Sequence, residues 1–428
     1  MKFNDITIKV DRFGPLENVS FKLAPLIVFT GLSSTGKSYA NYLVYYFLSS
    51  VCNGSLIEFC DKKPDPELTA QQFVFRLDDF LLALKKNAAD FMRSFLGDET
   101  MECEVAFISR LRQRNIEIFI AKEEGEIEHA SPLVKKTPRY QLLMNGKLVE
   151  VNRSFSLLLL LLNYYLMRHI LGESILRSVI LPPGRGAFVG ENFSLKNAVS
   201  SSLGMYDSFF FDYDYAQKPG MRRHEESSNI DLSDQLLKMT SGGHLLTIES
   251  KQYLQLDDNQ RIALSASASS IKDLSPWLFF LKNHQEEFSS FCLEEPEAHQ
   301  HPSVTVQIAD TIAISLNRNN AFHLTTHSDY LIQRLNQLIR LGGIRRKNEK
   351  AFEDICVQRN LNPLCYIDAA AVRAYYFSKD NKGRTVVETL EVTDDGIPMK
   401  SFFEVVRDLN EREDYINDAT YKLSKEQK

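Results

Sequence analysis

The chain has 428 residues, of which 44% are hydrophobic and 25% are charged, and this composition excludes a disordered or fibrous protein. Its 50 basic and 56 acidic side chains give a net charge of −6, so we expect no general attraction to nucleic acid or to an anionic membrane. The six cysteines are scattered without metal-ligand spacing. The longest apolar stretch, residues 157–162, lies in an uncharged window between Arg153 and Arg168 that is too short to cross a bilayer. These features predict a cytoplasmic protein with reduced thiols and no membrane partner.

The first fifty residues contain three predicted strands and one predicted helix. Residues 3–10 and 18–23 show short apolar alternation and predict two strands joined by a Gly-Pro turn, while residues 25–30 predict a third, fully buried strand. The loop GLSSTGKS follows immediately, and an apolar helix is predicted from it to about Cys52. Strand, glycine loop and helix therefore appear in the order that a phosphate cradle needs.

The middle of the chain has a different character. Residues 55–175 show helical periodicity around residues 73–95 and 155–171, with charged loops and few strand signals between them. A range of this length is too long for a simple connection between two elements. We therefore predict an inserted helical region.

The second half returns to strands. Residues 245–264 alternate in polarity and predict a small antiparallel unit. Residues 289–294 and 321–326 predict a parallel pair of strands joined by an amphipathic helix at 304–316, which indicates an α/β fold. A basic loop at residues 340–350, a hairpin and a charged C-terminal helix are predicted to follow.

The GLSSTGKS loop matches the P-loop pattern G-x-x-x-x-G-K-[ST] without a gap. Its glycines allow backbone N–H groups to wrap the β-phosphate, Lys37 spans the β and γ oxygens, and the Ser38 hydroxyl ligates Mg²⁺. The sequence therefore predicts ATP and Mg²⁺ as ligands. The predicted nucleotide-binding residues of this loop are Gly31, Ser33, Ser34, Thr35, Gly36, Lys37 and Ser38.

A second motif, FCLEEPEAHQHP, places two carboxylates at the end of an apolar strand, where a proline then stops the strand. A carboxylate at this position can hold the water shell of Mg²⁺, and its neighbour can activate the attacking water. We assign Glu294 to the metal and Glu295 to the water. Lys37 and Glu295 are thus predicted to be catalytic.

The segment Glu-Glu-Pro-Glu-Ala-His-Gln-His-Pro and the later Thr-Thr-His-Ser at 325–328 resemble the Walker B and switch-histidine segments of ABC-type ATPases of the overcoming-lysogenisation-defect and RecF/SMC-like branch. The resemblance implies an ABC-type P-loop NTPase head, with a mixed sheet and antiparallel N-terminal strands. It also implies that His327 is a catalytic switch histidine that contacts the γ-phosphate across a dimer. The ATPase is then expected to comprise residues 1–54 and 176–428, interrupted by the helical insertion 55–175.

ATPases of this branch also carry a glycine-containing signature segment that opens a helix before Walker B. Residues 264–281 occupy the matching place but contain no glycine. Ser267, Ser269 and Ser270 are expected at the N-cap of the helix, where they either offer groups to the γ-phosphate of a partner's nucleotide or only cap the helix. The departure leaves open whether ATP is hydrolysed quickly or mainly locks an assembly.

Two functions are consistent with these motifs. The first is an ATPase that forms a homodimer or higher oligomer on ATP and acts as sensor or scaffold for a separate effector protein in prokaryotic anti-phage defence. The alternative is a RecF/SMC-like repair or recombination ATPase that binds DNA. An in-chain nuclease is disfavoured because Asp212 and Asp214 are expected in an aromatic loop without a companion carboxylate strand.

Arg185 is expected to reach nucleotide or a neighbouring subunit, or to lie on the surface.

Overall fold

The computed structural model describes residues 2–123, 139–144, 146–151, 154–189, 204–218, 232–249, 251–284 and 288–426. The strands are β1 (Ile6–Phe13), β2 (Leu16–Lys22), β3 (Leu26–Gly31), β4 (Ala70–Arg76), β5 (Cys103–Ser109), β6 (Asn115–Glu123), β7 (Arg139–Met144), β8 (Lys147–Val151), β9 (Arg177–Leu181), β10 (Gly243–Ile248), β11 (Lys251–Leu256), β12 (Arg261–Ala263), β13 (Ser289–Glu294), β14 (Ala321–Thr326), β15 (Val372–Lys379) and β16 (Thr385–Leu390). The helices are α1 (Lys37–Asn53), α2 (Leu77–Leu96), α3 (Phe155–Leu171), α4 (Met205–Ala216), α5 (Leu232–Ser241), α6 (Ser269–Asn283), α7 (Pro302–Leu316), α8 (Asp329–Lys347), α9 (Glu349–Arg359) and α10 (Lys400–Glu426).

The central sheet has six strands in the order β16-β15-β3-β14-β13-β9. Five of them, from β15 to β9, run parallel, and only β16 is antiparallel to its neighbour. Every residue of β3, β13 and β14 is buried, as expected for parallel strands that are covered on both faces. The predicted α/β fold with a mixed sheet is confirmed.

A second sheet is formed by the N-terminal strands. β1 pairs antiparallel with β2 on one side and with β5 on the other. The two predicted N-terminal strands are therefore confirmed as an antiparallel pair. The third strand of this sheet, β5, comes from the range 55–175, so part of that range completes the N-terminal sheet.

The range 55–175 contains strands as well as helices. Helices α2 and α3 lie where the sequence periodicity predicts them, but a four-stranded antiparallel sheet with the order β4-β6-β7-β8 lies in the same range. In β6, Ile116, Ile118 and Ile120 are buried and alternate with exposed residues, which is the pattern of a strand with one covered face. The purely helical interpretation of this range is therefore corrected to a mixed one.

Most predictions for the second half agree with the structure. β10, β11 and β12 form the small antiparallel sheet, β13-α7-β14 forms the parallel βαβ unit, and β15 and β16 form the hairpin before the C-terminal helix α10. The predicted basic loop at 340–350 is wrong, because those residues lie on α8 and α9, with Asn348 capping α9. Among the described helices, none combines the length and apolar character needed to cross a membrane.

Helix α1 packs across β9, β13 and β14 and is buried on most sides. Its N-terminus follows β3 directly, at the edge where the parallel strands end. Register pairs Thr30 with Thr326 and Glu294 with Thr325 at this edge. Since the carboxyl ends of parallel strands meet there, the predicted site residues on three strands are brought to one place.

Candidate functional site

The GLSSTGKS loop between β3 and α1 presents a row of backbone N–H groups. Ser34 has a φ of 56° and Gly36 a φ of 92°, so the chain turns repeatedly through the left-handed region. The N–H of Leu32 donates to the carbonyl oxygen of Phe377 at 2.9 Å, whereas the N–H groups of residues 33–38 donate to none of the described residues. Unpaired N–H groups at a helix N-terminus form a cradle for a phosphate group.

Two glycines shape this cradle. Gly31 has a φ of 121°, and a Cβ atom there would lie 2.1 Å from the carbonyl oxygen of Phe377 on the neighbouring strand. At Gly36 a Cβ atom would lie 2.7 Å from Cγ of Pro15. Glycine is therefore required at both predicted positions, for conformation and for space.

Lys37 is the first residue of α1, and its side chain is folded over the loop. Its Nζ donates to the carbonyl oxygens of Leu32 at 2.6 Å and Gly31 at 3.2 Å. Burial lowers the pKa of Lys37 to about 8, while nearby carboxylates oppose this effect. Thr35 donates to the same Leu32 oxygen at 2.6 Å, and Ser33 lies exposed at the mouth of the loop. The ammonium group thus lies against the carbonyl oxygens at the start of the loop.

The Ser38 hydroxyl contacts the last residue of β13. It donates to Oε2 of Glu294 at 2.6 Å, and Thr325 on β14 donates to the same oxygen at 2.9 Å. Oε1 of Glu294 accepts from Nδ2 of Asn41 at 2.7 Å. Three side chains from two elements, α1 and β14, therefore converge on a carboxylate that is 1% exposed.

Ser38 and Glu294 fit a Mg²⁺ ion. Hydroxyl and carboxylate oxygens are the protein ligands that this hard cation prefers, and here one of each lies within hydrogen-bond distance beside the phosphate cradle. Burial raises the pKa of Glu294, although its hydrogen bonds from Ser38, Asn41 and Thr325 oppose the rise. A cation at this site would compensate the charge of the buried carboxylate.

Glu295 and His327, the predicted water-activating base and switch histidine, are brought together. His327 Nε2 lies 3.7 Å from Glu295 Oε1, and both side chains remain partly exposed. Glu295 has a φ of 45°, an uncommon conformation for a residue with a side chain, and its N–H donates to the Thr325 hydroxyl at 3.2 Å. Burial and the positive charge of Lys37 lower the pKa of His327, so its imidazole is favoured in the neutral form.

Glu297 holds the segment that carries His327. Its Oε1 accepts from the Thr326 hydroxyl at 2.6 Å, from the His327 N–H at 2.8 Å and from the Ser328 N–H at 3.1 Å. Its Oε2 is buried and has no hydrogen-bond partner among the described residues. The turn after β13 is therefore tied directly to the end of β14.

The signature-like helix α6 begins at Ser269, close to its predicted start. Its N-cap is Ala268, and no side chain makes a capping hydrogen bond there, so the alternative that Ser267, Ser269 and Ser270 only cap the helix is wrong. The carbonyl oxygen of Ser270 accepts from Nε2 of Gln300 at 2.8 Å, which joins the start of α6 to the loop after Glu294. An interaction of these serines with a partner's nucleotide stays a prediction.

Arg185 is neither exposed nor aimed at the solvent. It is 3% exposed, and its guanidinium donates to the carbonyl oxygens of Asp273 at 2.7 Å and Glu294 at 2.8 Å. The Asp273 carboxylate also accepts from the Gly186 N–H at 2.8 Å and lies 2.6 Å from Nδ1 of His299. Arg185 therefore joins α6 to the end of β13, and the expectation of a surface position is wrong.

Asp212 and Asp214 lie on helix α4 rather than in a loop. Asp212 is buried, accepts from the Ile180 N–H at 3.0 Å and lies 3.6 Å from Arg177. Asp214 is partly exposed and pairs with Lys218 at 2.6 Å. Each carboxylate has its own partners, and among the described residues no group of three or more His, Cys, Asp or Glu side chains could hold a metal.

Three basic residues at the end of α8 are paired with acidic neighbours. Arg346 and Lys347 both contact Asp394, at 2.6 and 3.1 Å, and Arg345 lies 3.6 Å from Glu349. The positive charge of these three residues is locally compensated. This arrangement gives little support to a nucleic-acid surface here.

Asn41, His323 and Glu297 were not predicted as part of the nucleotide site. Asn41 follows Ser38 by three residues and so lies on the same face of α1. His323 precedes Thr325 by two residues and so lies on the same face of β14. These spacings place the side chains near the site but do not identify their partners. Glu297 lies two residues after Glu295, in a turn whose course the sequence does not predict.

No protein-family model matches the chain, and no curated protein matches it. Among solved structures, the chain is similar to an Smc head bound to the C-terminal winged-helix domain of ScpA, with 11% identity, a TM-score of 0.41, and coverage of 92% of this chain and 98% of that one. It is also similar to an Smc head with an extended coiled coil, bound to the C-terminal domain of ScpA derived from Pyrococcus furiosus, with 10% identity, a TM-score of 0.38, and coverage of 96% of this chain and 99% of that one. For the SMC head domain from Thermotoga maritima, the identity is 9%, the TM-score is 0.32, and the coverage is 92% of this chain and 100% of that one. With TM-scores below 0.5, these similarities add nothing to the assignment of function, which rests on the residues of this chain.

Proposed function

We propose that the chain binds ATP together with Mg²⁺ and hydrolyses the terminal phosphoanhydride bond. The observation that supports this most directly is the contact of Ser38 with Glu294, which joins the P-loop to the end of β13 beside the free N–H groups of the cradle. Phosphate recognition needs such a cradle, and the metal needs these two oxygen ligands. When bound, Mg²⁺ would supply positive charge to the phosphate oxygens.

The proposed chemistry assigns one task to each residue. The N–H groups of residues 33–38 bind the phosphates, and Lys37 leaves the Leu32 carbonyl to contact the β and γ oxygens. Glu295 accepts a proton from the attacking water, and His327 contacts the γ-phosphate. Both side chains are partly exposed and lie 3.7 Å apart, so they are accessible to water and to a second molecule.

We further propose that two copies close around ATP, with His327 and the exposed start of α6 facing the nucleotide of the other copy. The helix N-terminus at Ser269 is uncapped, and uncapped N–H groups attract a phosphate. The control of a separate effector in prokaryotic anti-phage defence is the biological setting that we propose, on the basis of the sequence resemblance.

Three measurements test this function. They are calorimetry with ATP and MgCl₂, an assay of phosphate release, and light scattering of the protein as it elutes from a size-exclusion column. We expect magnesium-dependent ATP binding, slow phosphate release, and a doubling of mass with ATP in the Glu295→Gln variant. A wild-type protein that binds no nucleotide would remove the proposed function. If the wild type binds and hydrolyses ATP but the Glu295→Gln variant stays monomeric with ATP, only the proposed dimer is contradicted.

A further inference from the structure

Asn41, His323 and Glu294 form a continuous chain of buried side chains behind the proposed metal site. Their exposed fractions are 0%, 1% and 1%. Nδ2 of Asn41 donates to Oε1 of Glu294 at 2.7 Å, and Oδ1 of Asn41 lies 2.7 Å from Nδ1 of His323. The chain connects α1, β13 and β14, the same three elements that form the site.

The hydrogen-bond directions in this chain follow from the donor and acceptor chemistry. The amide nitrogen of Asn41 faces a carboxylate, so its oxygen faces His323, and Nδ1 of His323 must carry the proton. Burial lowers the pKa of His323 to about 3, so the ring is neutral near pH 7 and its Nε2 carries no proton. Nε2 is buried without a hydrogen-bond partner among the described residues.

A histidine is a costly choice at this position if it only fills space. An apolar side chain on β14 would pack in the core without an unpaired ring nitrogen. The imidazole has one property that an apolar residue lacks, which is the Nδ1 proton directed at Asn41. A rotation of the Asn41 amide by half a turn would place oxygen against Glu294 and nitrogen against this proton, and both new contacts would be repulsive.

We propose that Asn41 and His323 are positioning residues of the Mg²⁺ site: His323 sets the orientation of the Asn41 amide, and Asn41 holds Oε1 of Glu294 so that Oε2 stays directed at Ser38. This inference rests on the proposed function, because it concerns the same site. Partners behind a metal-binding carboxylate set its orientation, and their loss weakens metal binding about 10-fold to 100-fold.

Two substitutions of His323 separate the hydrogen bond from packing. His323→Phe keeps a ring of similar shape but has no donor, whereas His323→Asn leaves a gap but places an amide donor near the position of Nδ1. If packing is what matters, the asparagine variant is the more damaged of the two. If the hydrogen bond matters, the phenylalanine variant is the more damaged of the two.

The measurement is calorimetric binding of ADP to the full chain during titration with MgCl₂, and again in EDTA. We expect His323→Phe to raise the Mg²⁺ concentration at half-saturation about 10-fold, and His323→Asn to raise it no more than about 3-fold. ADP affinity in EDTA should be unchanged in both variants, because the hydrogen bond that the structure describes for the His323 ring runs to Asn41 and not to the cradle of residues 33–38. If circular dichroism shows that His323→Phe does not fold, Asn41→Leu gives the same readout with the same expected rise.

The possible failures are distinguishable. Equal Mg²⁺ dependence in both His323 variants, or a larger defect in His323→Asn, would overturn the positioning role while the wild type still binds Mg²⁺ and ADP. A wild-type protein that binds no ADP in either buffer would overturn the proposed function, and this inference with it.

Discussion

The Ser38 hydroxyl donates to Oε2 of Glu294 at 2.6 Å, although the two residues are 256 positions apart in the chain. Ser38 lies in the first turn of α1, and Glu294 is the last residue of β13. In the sheet, β14 lies between β3 and β13, and all three strands run parallel, so their carboxyl ends meet at one edge. The proposed metal site is therefore a property of the sheet order.

Substitution of Lys37 by alanine should strongly weaken nucleotide binding without unfolding the protein. Among the described residues the ammonium group donates only to loop carbonyls, so its loss removes charge-assisted bonds to phosphate. We expect ATP affinity to fall about 10-fold to 100-fold by calorimetry. Lys382→Ala, at an exposed lysine in the β15–β16 turn, is the control and should bind as the wild type does. Unchanged binding in Lys37→Ala would contradict the P-loop assignment.

Glu295→Gln should retain Mg²⁺ and ATP but reduce phosphate release about 100-fold or more, since the amide keeps the shape of the side chain and cannot accept a proton. Glu294→Gln should instead weaken the magnesium-dependent part of ATP binding, because the neutral amide lacks the negative charge that would hold the cation beside Ser38. Binding and single-turnover hydrolysis measured on both variants distinguish the roles. If Glu294→Gln blocks only turnover and Glu295→Gln weakens binding, the two assignments are reversed.

Glu297→Ala should lower turnover about 10-fold while ATP affinity stays close to wild type. The substitution leaves the His327 N–H without its acceptor and the Ser328 N–H with only the Thr326 hydroxyl, so the histidine is no longer held in one position. His327→Ala is the matched variant. If Glu297 acts through His327, the double variant should be no slower than His327→Ala alone in steady-state assays. Additive losses would show that Glu297 has a separate task.

Asp212→Asn should remove part of the pH dependence of stability. Burial raises the pKa of Asp212 to about 7, from an ordinary value near 4, against the opposing Ile180 N–H and Arg177. The folded state then binds this proton more tightly than the unfolded state, so wild-type stability declines as pH rises from about 4 to about 7, by about 1.4 kcal/mol for each unit of pKa difference.

The measurement for Asp212 is urea unfolding of the wild type and Asp212→Asn at pH 5 and pH 8. Asparagine resembles the protonated acid and keeps an oxygen for the Ile180 N–H, so the variant should lose less unfolding free energy than the wild type between these pH values. An identical loss in both proteins would mean that Asp212 is already ionised in the folded protein at pH 5.

The parts of the site that are contiguous in the chain could be predicted from the sequence. The P-loop, its buried strand and its helix follow from local pattern, and so does the acidic end of β13. The hairpin and the βαβ unit followed from periodicity in the same way. The four-stranded sheet within residues 55–175 was not predicted, because short alternating runs such as β6 are separated by charged segments that give weak strand signals.

The sequence by itself therefore determined the glycine loop between β3 and α1 and the acidic strand end, because both depend on neighbouring residues and on the conformations open to glycine. Only the tertiary structure decided what Asn41, His323 and Glu297 contact. Asn41 and His323 are 282 positions apart, and Glu297 reaches its partners across 29 to 31 positions. A buried polar group must find a partner in the core, and which partner lies within reach depends on the order and register of the strands.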